Sequence, residues 1–518
     1  MSDLIVLLWL GFILSSAVFF SSSSILYQFQ QNSFSFDKGF LLSLSACLVA
    51  LVLCLSMWPP VHRVYDDECL FISQSNNICL LGKASITQKG SRLQPEIVNS
   101  WTETPKFPGF ALIEAGVFFL TKDIKNSFFI LNIVLGTLSV AVVFRITWAL
   151  SASYVVSWWS AVFFACLPAR CTYAMSAACD IAGLFFFLLF LLFLTDFKTL
   201  KVRRVLYAAI FCGIYSVCIK PFYGIFVLLG LGMALYIYQK DGLLNRKNCK
   251  QIVLDSVCLF LPIFILVHFA YIKAGAWSFS FIFSNLYSSI SYLFDYKQDT
   301  VLTVIACLFV IARNVIYEKD NVTNWIAGWF LMGFLVLSVF CAGGFTYPGQ
   351  AYSDRYFLFL AFPFVFLAGK GMAGILKIFR FWIFGVIFFI LLFVNALAAC
   401  HNLNNKANDN YYYKKTLLFK QVFKFIPNDA YFLDECPTLV TAISARKSIS
   451  TELFFKGNHP QKIVFLKGIP LDSYDSNDSK QMDSLNHILN AEYVCKPKSP
   501  ALIKQGFLSV IPFLCIRK

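Results

Sequence analysis

Long uncharged apolar runs, separated by short polar segments, dominate residues 1–400; Gly39–His62, Ile146–Ala169, Pro221–Gln239 and Asn321–Ser353 are examples. Runs of about 18 or more residues are long enough for a helix to cross a bilayer. The pattern predicts spans at Leu4–Leu26, Gly39–His62, Ser127–Ala149, Tyr154–Ala169, Ile181–Thr195, Val205–Ile219 and Pro221–Gln239, and near 252–272, 300–317, 325–342, 356–374 and 381–400. That makes twelve in all. The first run lacks a basic leader and a small-residue cleavage site, so it reads as an uncleaved helix. Phe107–Leu120 is apolar but short and contains Glu114, which fits an interfacial helix better than a span.

After residue 400 the period changes. Short apolar runs (Ala430–Leu433, Lys462–Leu466, Glu492–Cys495, Phe507–Ile516) alternate with polar, helix-compatible stretches such as Asp478–Asn490. Such alternation predicts a small α/β domain. The expected architecture is therefore an all-α polytopic membrane domain over 1–400, with 59–126 as its first outer loop, followed by a soluble α/β domain over 401–518.

Composition agrees with a membrane protein: 58% of residues are hydrophobic, 14% are charged, and the mean hydropathy is +0.68. Disorder, collagen and a small disulfide-rich secreted module are excluded. The formal charge of +15 is spread among loops without a basic face interleaved with aromatic residues, so nucleic acid is not an expected partner. Its distribution reports orientation instead, because Lys and Arg favour cytoplasmic loops. Lys198, Lys201, Arg203 and Arg204 form one dense cluster, and Lys240, Arg246, Lys247 and Lys250 form the next. With both inside, Lys220-Pro221 marks an outer turn, and the loops 59–126, 273–299 and 343–355 and the C-terminal domain lie outside, at a plasma or bacterial inner membrane. The 17 cysteines are scattered and show no zinc-like spacing. Cys69 and Cys79, both in the large outer loop, form a disulfide or remain two thiols. The Phe- and Tyr-rich stretch Trp277–Tyr296 reads as an interfacial aromatic belt.

Polar groups expected at the outer face are Arg63, Asp66, Asp67, Glu68, Glu103, Lys106, Arg170, Asp180, Lys220, His268, Asp354 and Arg355. Any one of them is an ordinary solvated helix end when taken singly. Together they divide into a carboxylate cluster suited to general-base work and a basic set suited to a phosphate. That pairing fits transfer of a group from a phosphate leaving group to a hydroxyl or amine. Asp180 reads equally as an N-cap or as a site residue. His268 reads as a bonded structural histidine or as a group that meets the carboxylates and holds a metal.

Several stretches resemble the polytopic GT-C glycosyltransferases, in particular the bacterial relatives of protein O-mannosyltransferases and of the lipid A aminoarabinose transferase. They are Asp67-Glu68 at the start of the first outer loop, Thr104-Pro105-Lys106-Phe107-Pro108-Gly109-Phe110, Pro168–Asp180 leading into Phe185-Phe186-Phe187, Cys218-Ile219-Lys220-Pro221, and Ser353-Asp354-Arg355-Tyr356. The likeness runs from about residue 39 to 400. The chain departs from the family in having Phe-Pro-Gly where paired prolines often follow the Lys, and in carrying Asp66 before the acidic pair. The resemblance implies a sugar donor linked to a polyprenyl or dolichyl monophosphate. It implies Asp67 as base on the acceptor, Glu68 as its positioning partner, and Lys106, Lys220 and Arg355 as ligands of the lipid phosphate. No cofactor is required on this reading, and a divalent metal is compatible with it. Membrane lipids and an acceptor (protein, lipid or cell-wall glycan) are the expected partners. Two other classes compete: a non-enzymatic transporter or flippase of lipid-linked sugars, which should carry its ionisable groups at the midplane, and an O-antigen ligase or polymerase using a pyrophosphate donor, which should have its largest loop late in the membrane domain.

Overall fold

The structure is a computed structural model that describes residues 3–31, 38–60, 65–91, 93–100, 107–122, 126–271, 320–343, 358–379, 382–408, 411–434, 440, 446–467, 485, 487–497, 503–505 and 508–518. The chain forms two compact units. One comprises Leu8–Pro60 and Phe129–Leu403; the other comprises Met1–Leu7, Val61–Phe128 and Asn404–Lys518.

The first unit is helical. Its elements are α1 (Asp3–Gln31), α2 (Lys38–Ser56), α5 (Ser127–Ser151), α6 (Tyr154–Cys166), α7 (Pro168–Ala174), α8 (Asp180–Leu200), α9 (Arg203–Ile219), α10 (Tyr223–Lys240) and α11 (Arg246–Tyr271), with further helices at Asn321–Gly343, Ala361–Phe379 and Trp382–Asn408. Apart from Tyr154–Ala169, which is divided between α6 and α7, each expected span whose residues are described falls on one of these helices; 300–317 lies outside the described residues. By length and composition, seven described helices can cross a membrane, or eight if the bent pair α6 and α7 is one span. Packing in α2 runs opposite to that of a soluble amphipathic helix. Its buried residues are mostly small (Gly39, Ala46, Ala50 and Cys54, with Leu53), while Leu41, Leu44, Leu48, Val52 and Leu55 are exposed. Small residues let membrane helices approach closely, and large apolar ones suit lipid. The same rule operates at Gly369, where a Cβ would lie 2.7 Å from the backbone nitrogen of Ser160 on α6.

Prolines set the breaks. The span expected over Tyr154–Ala169 bends by 60° at Leu167, where Pro168 holds the preceding residue extended and starts α7. Lys220 is extended as well, at φ −144° and ψ 104°, and separates α9 from α10 ahead of Pro221. This is the break expected from the sequence. The irregular backbone between α7 and α8 is held by Asn132, whose side-chain amide donates to Ser176 O and Ala178 O at 2.7 and 2.8 Å. Non-helical backbone inside a membrane protein needs such internal partners.

The second unit carries the sheet. Helix α3 (Tyr65–Leu81) and the hairpin β1 (Ser85–Gly90) and β2 (Pro95–Ser100) precede the 13-residue helix α4 (Gly109–Thr121). Later come the helix Tyr411–Val422, β3 (Tyr431–Asp434), β4 (Lys447–Ser450), β5 (Lys462–Lys467), β6 (Tyr493–Pro497), β7 (Ile503–Gln505) and β8 (Leu508–Arg517). The strands form one sheet in the order β2-β1-β4-β3-β5-β8-β6, with β7 beside β8. β3 runs parallel to β4 and β5, and the remaining pairs are antiparallel. The core behind them includes Leu433, Ile449, Phe454, Ile463, Leu485, Leu489 and Tyr493.

All four expected late strands are present, and α4 covers most of the short helix expected at Phe107–Leu120. Helix α3 and the early hairpin were not anticipated. Through β1 the hairpin pairs with β4, so residues 61–128 group with the late segment rather than with the membrane helices. Hydrophobic length identifies spans, but it is blind to which later strand completes a hairpin edge. Of the two readings of Cys69 and Cys79, the structure shows the pair of unbridged thiols. Both residues lie on α3, ten positions and therefore about 15 Å apart along the axis, beyond the reach of a disulfide. The disulfide that is present joins Cys495 to Cys515 across the β6–β8 pair.

Candidate active site

In the sheet-bearing unit, Asp66, Asp67 and Glu68 occupy the first turn of α3. The sequence alone suggested that three neighbouring acids require compensating cations. The helix start supplies part of that compensation, because its free N–H groups and macrodipole favour negative charge there. Asp67 is half-buried and Glu68 is fully buried, at 0% exposure.

Helix α3 is unusual in burying a polar run, Ser73-Gln74-Ser75-Asn76-Asn77. Five consecutive buried positions point all around the helix, so it must be enclosed by polar partners. Strand β1 provides one side: Thr87 N donates to Ser73 Oγ at 3.0 Å, and the Asn77 amide donates to Ser85 O at 2.9 Å and Thr87 Oγ1 at 3.1 Å. Helix α4 provides another. Phe71 meets Phe110 edge-on with ring centroids 5.4 Å apart, and Ser75 Oγ lies 3.0 Å from a carboxylate oxygen of Glu114. Glu114 is 1% exposed, and burial first, then the negative charge of Glu68, holds its carboxyl well above the ordinary range despite the Ser75 hydroxyl. The acidic cluster thus sits on a helix pinned to the sheet on one side and to a second buried acid on the other.

In the membrane unit, Asp180 and Lys220 form an ion pair with side-chain exposures of 1% and 9%. Asp180 opens α8, but the N-cap is Cys179 and makes no side-chain cap hydrogen bond, so the N-cap reading of Asp180 is not what the structure shows. Lys220 comes from the extended break between α9 and α10, and its ammonium lies 4.9 Å from the centroid of Phe359. The Tyr223 ring lies nearby, tilted against Phe187 and Phe359 with centroids 4.9 and 4.4 Å apart. Gly183 makes the approach feasible, since a Cβ there would stand 2.9 Å from the Tyr223 ring. An ammonium has three donors; Asp180 engages it and fixes its direction.

Arg170 departs from its expected role as an outward cation. It is fully buried on α7 and donates to Ala165 O at 2.8 and 3.1 Å, to Ala50 O at 3.4 Å, and to the sulfur atoms of Cys171 at 3.0 Å and Cys54 at 3.7 Å. It satisfies carbonyls left open where α6 breaks. Arg63, Glu103, Lys106, Asp354 and Arg355 lie outside the described residues, as do the side chains of Asp66 and His268, whose backbones are helical in α3 and α11. Among the described residues no three His, Cys, Asp or Glu side chains converge on a metal position.

Glu114 and the Asp180–Lys220 pairing were missed from sequence. The one usable signal was a lone carboxylate inside an apolar helix, which is costly unless it has a purpose.

No family model matches the sequence, and no curated protein matches it either. Solved structures do. ArnT from Cupriavidus metallidurans, determined with undecaprenyl phosphate bound, superposes with a TM-score of 0.57 at 10% identity, covering 91% of this chain and 97% of its own. The oligosaccharyltransferase AglB from Archaeoglobus fulgidus, determined with an inhibitory peptide and a dolichol-phosphate, superposes with a TM-score of 0.50 at 11% identity, covering 89% of this chain and 70% of its own. The chain therefore shares the fold of these two membrane proteins, with several apolar helices and a small sheet region.

Proposed function

We propose that this chain is an integral-membrane glycosyltransferase that moves a sugar from a polyprenyl-monophosphate donor to an extracytoplasmic acceptor. The observation that carries the reading is the acidic first turn of α3, pinned from two sides, in a chain with the GT-C fold. The transfer needs a base for the acceptor proton and cations for the phosphate that leaves. Asp67, half-buried beside buried Glu68, takes the proton of the acceptor hydroxyl or amine as that atom bonds the anomeric carbon. The bond from that carbon to the phosphate oxygen then breaks, and the electron pair stays with the polyprenyl phosphate. Glu68 positions the acceptor. Lys220, oriented by Asp180, neutralises the departing phosphate together with Lys106 and Arg355. Charge-assisted bonds of this kind are about twice as strong as neutral ones.

The Cys495–Cys515 disulfide supports an extracytoplasmic sheet unit, because such bridges persist in oxidising compartments. The test is comparative glycolipid and glycoprotein mass spectrometry of membranes from a deletion strain, complemented with the wild-type chain or with Asp67→Asn. A glycan lost on deletion and restored only by the wild type supports the reading. An unchanged glycan profile rejects it.

A further inference from the structure

Proton counting around Ser75 constrains Glu114. The Ser75 hydroxyl has one proton. Its oxygen lies 2.8 Å from Phe71 O and 3.0 Å from Glu114 Oε2, and a backbone carbonyl can only accept. If Glu114 is a carboxylate, the hydroxyl can turn to it, since Phe71 O keeps its helical bond from Ser75 N–H, but the buried anion then has a single donor for its two oxygens among the described residues. If Glu114 carries a proton, it donates to Ser75 Oγ while Ser75 donates to Phe71 O, and all three groups are satisfied. The other oxygen points the same way: Oε1 is buried without a hydrogen-bond partner among the described residues. A bare carbonyl oxygen costs far less than a bare half of a carboxylate.

We propose that Glu114 is a positioning residue: a neutral carboxylic acid that donates through Ser75 and so locks α4 to the helix bearing Asp67 and Glu68, leaving Glu68 as the anion of the pair. The consequence for turnover rests on the glycosyltransferase reading above, whereas the protonation itself does not.

The surroundings agree. α3 brings the ionisable groups Tyr65, Asp66, Asp67, Glu68, Cys69 and Cys79. Glu68 acts on Glu114 through its charge, and Cys79 donates to Ala115 O at 3.3 Å. At the far end of α4, the Lys122 ammonium lies 4.2 Å from the centroid of Phe119. Burial, and after it the Glu68 charge, keeps the proton on Glu114. Because the proton is held more tightly in the folded chain than at the ordinary value of 4.5, the stabilisation it gives is complete below that value. It is lost as pH rises through the folded value, where a second buried anion would push α4 away from α3.

Infrared spectroscopy of the purified full-length chain in detergent tests the proposal without any substrate. At pH 7 the wild type should show a buried protonated-carboxyl band that shifts in heavy water. Glu114→Gln should abolish it. Glu68→Gln, which removes the negative neighbour, should move the disappearance of the band to lower pH.

 That direction is fixed by Coulomb's law, since an acid loses its proton more easily once a nearby anion is removed. No such band at pH 7, or a band that survives in Glu114→Gln, would overturn the proposal, and so would a band whose titration is indifferent to Glu68→Gln. Should Glu114→Gln fail to fold, the Glu68→Gln arm decides alone, because that chain retains Glu114. Absence of glycosyl transfer by the wild-type chain, with the infrared result intact, would instead count against the proposed function.

Discussion

Asp180 in the membrane unit and Glu114 in the sheet-bearing unit are both about 1% exposed, yet their neighbours differ: Asp180 sits against the Lys220 ammonium, Glu114 near a second acid. A buried carboxylate is tolerated either by keeping its charge and acquiring a cation or by keeping its proton. The first arrangement holds a cation in a fixed direction, as a phosphate ligand requires. The second adds no charge beside the acidic turn of α3, the proposed base. The two arrangements should therefore respond differently to mutation and to pH.

The largest effect is expected from breaking the cationic pair. Lys220→Met removes the ammonium from a buried carboxylate, and chemical or thermal unfolding should show a loss of about 3–5 kcal/mol. Adding Asp180→Asn should return most of that stability without returning donor use. Equal stability of the single and double variants would mean that the pair does not act as a pair.

Next in size is the base. Asp67→Asn keeps the shape and removes the proton-accepting charge, so turnover should fall by about 10²–10⁴ while donor binding changes little. Asp66→Asn is the control, because the two acids are adjacent. If Asp66 proves to be the sensitive position, the base lies one residue earlier on α3.

A smaller effect separates the two carboxylates by pH. Glu114→Gln is neutral at every pH, so its melting temperature should exceed that of the wild type at alkaline pH, with the gap closing as pH falls toward the ordinary carboxyl range. Asp180→Asn should not reproduce this pattern.

The smallest effect concerns the attachment of the early hairpin. Burial raises the Glu96 carboxyl, but the Tyr431 hydroxyl that donates to it and the ammonium groups of Lys89 and Lys447, each 3.5 Å away, bring it below the ordinary value. A depressed carboxylate stabilises above its ordinary range, and that contribution disappears as pH falls through the folded value. Tyr431→Phe should cost about 1 kcal/mol near neutral pH, measured by unfolding of the full-length chain, and less in acid.

The positions of the spans were legible in the sequence because hydrophobic length is a local property, and so was the break at Pro221, because proline acts on its own φ and on the residue before it; the bend at Pro168 fell inside an expected span and was not read. The late strands were legible from their short apolar runs, and the acidic turn from its composition. What only the tertiary structure decided involves partners far apart in the chain. Lys220 meets Asp180 forty positions earlier, β1 pairs with β4 across most of the sequence, and Arg170 turns inward to the carbonyls of α6 and α2. Glu114 read as a polar flaw in an apolar helix until α3, with Ser75 and Glu68, was packed against it. Periodicity fixes which face of an element is apolar, whereas the chain's path fixes what that face meets, and protonation and ion pairing follow from the meeting.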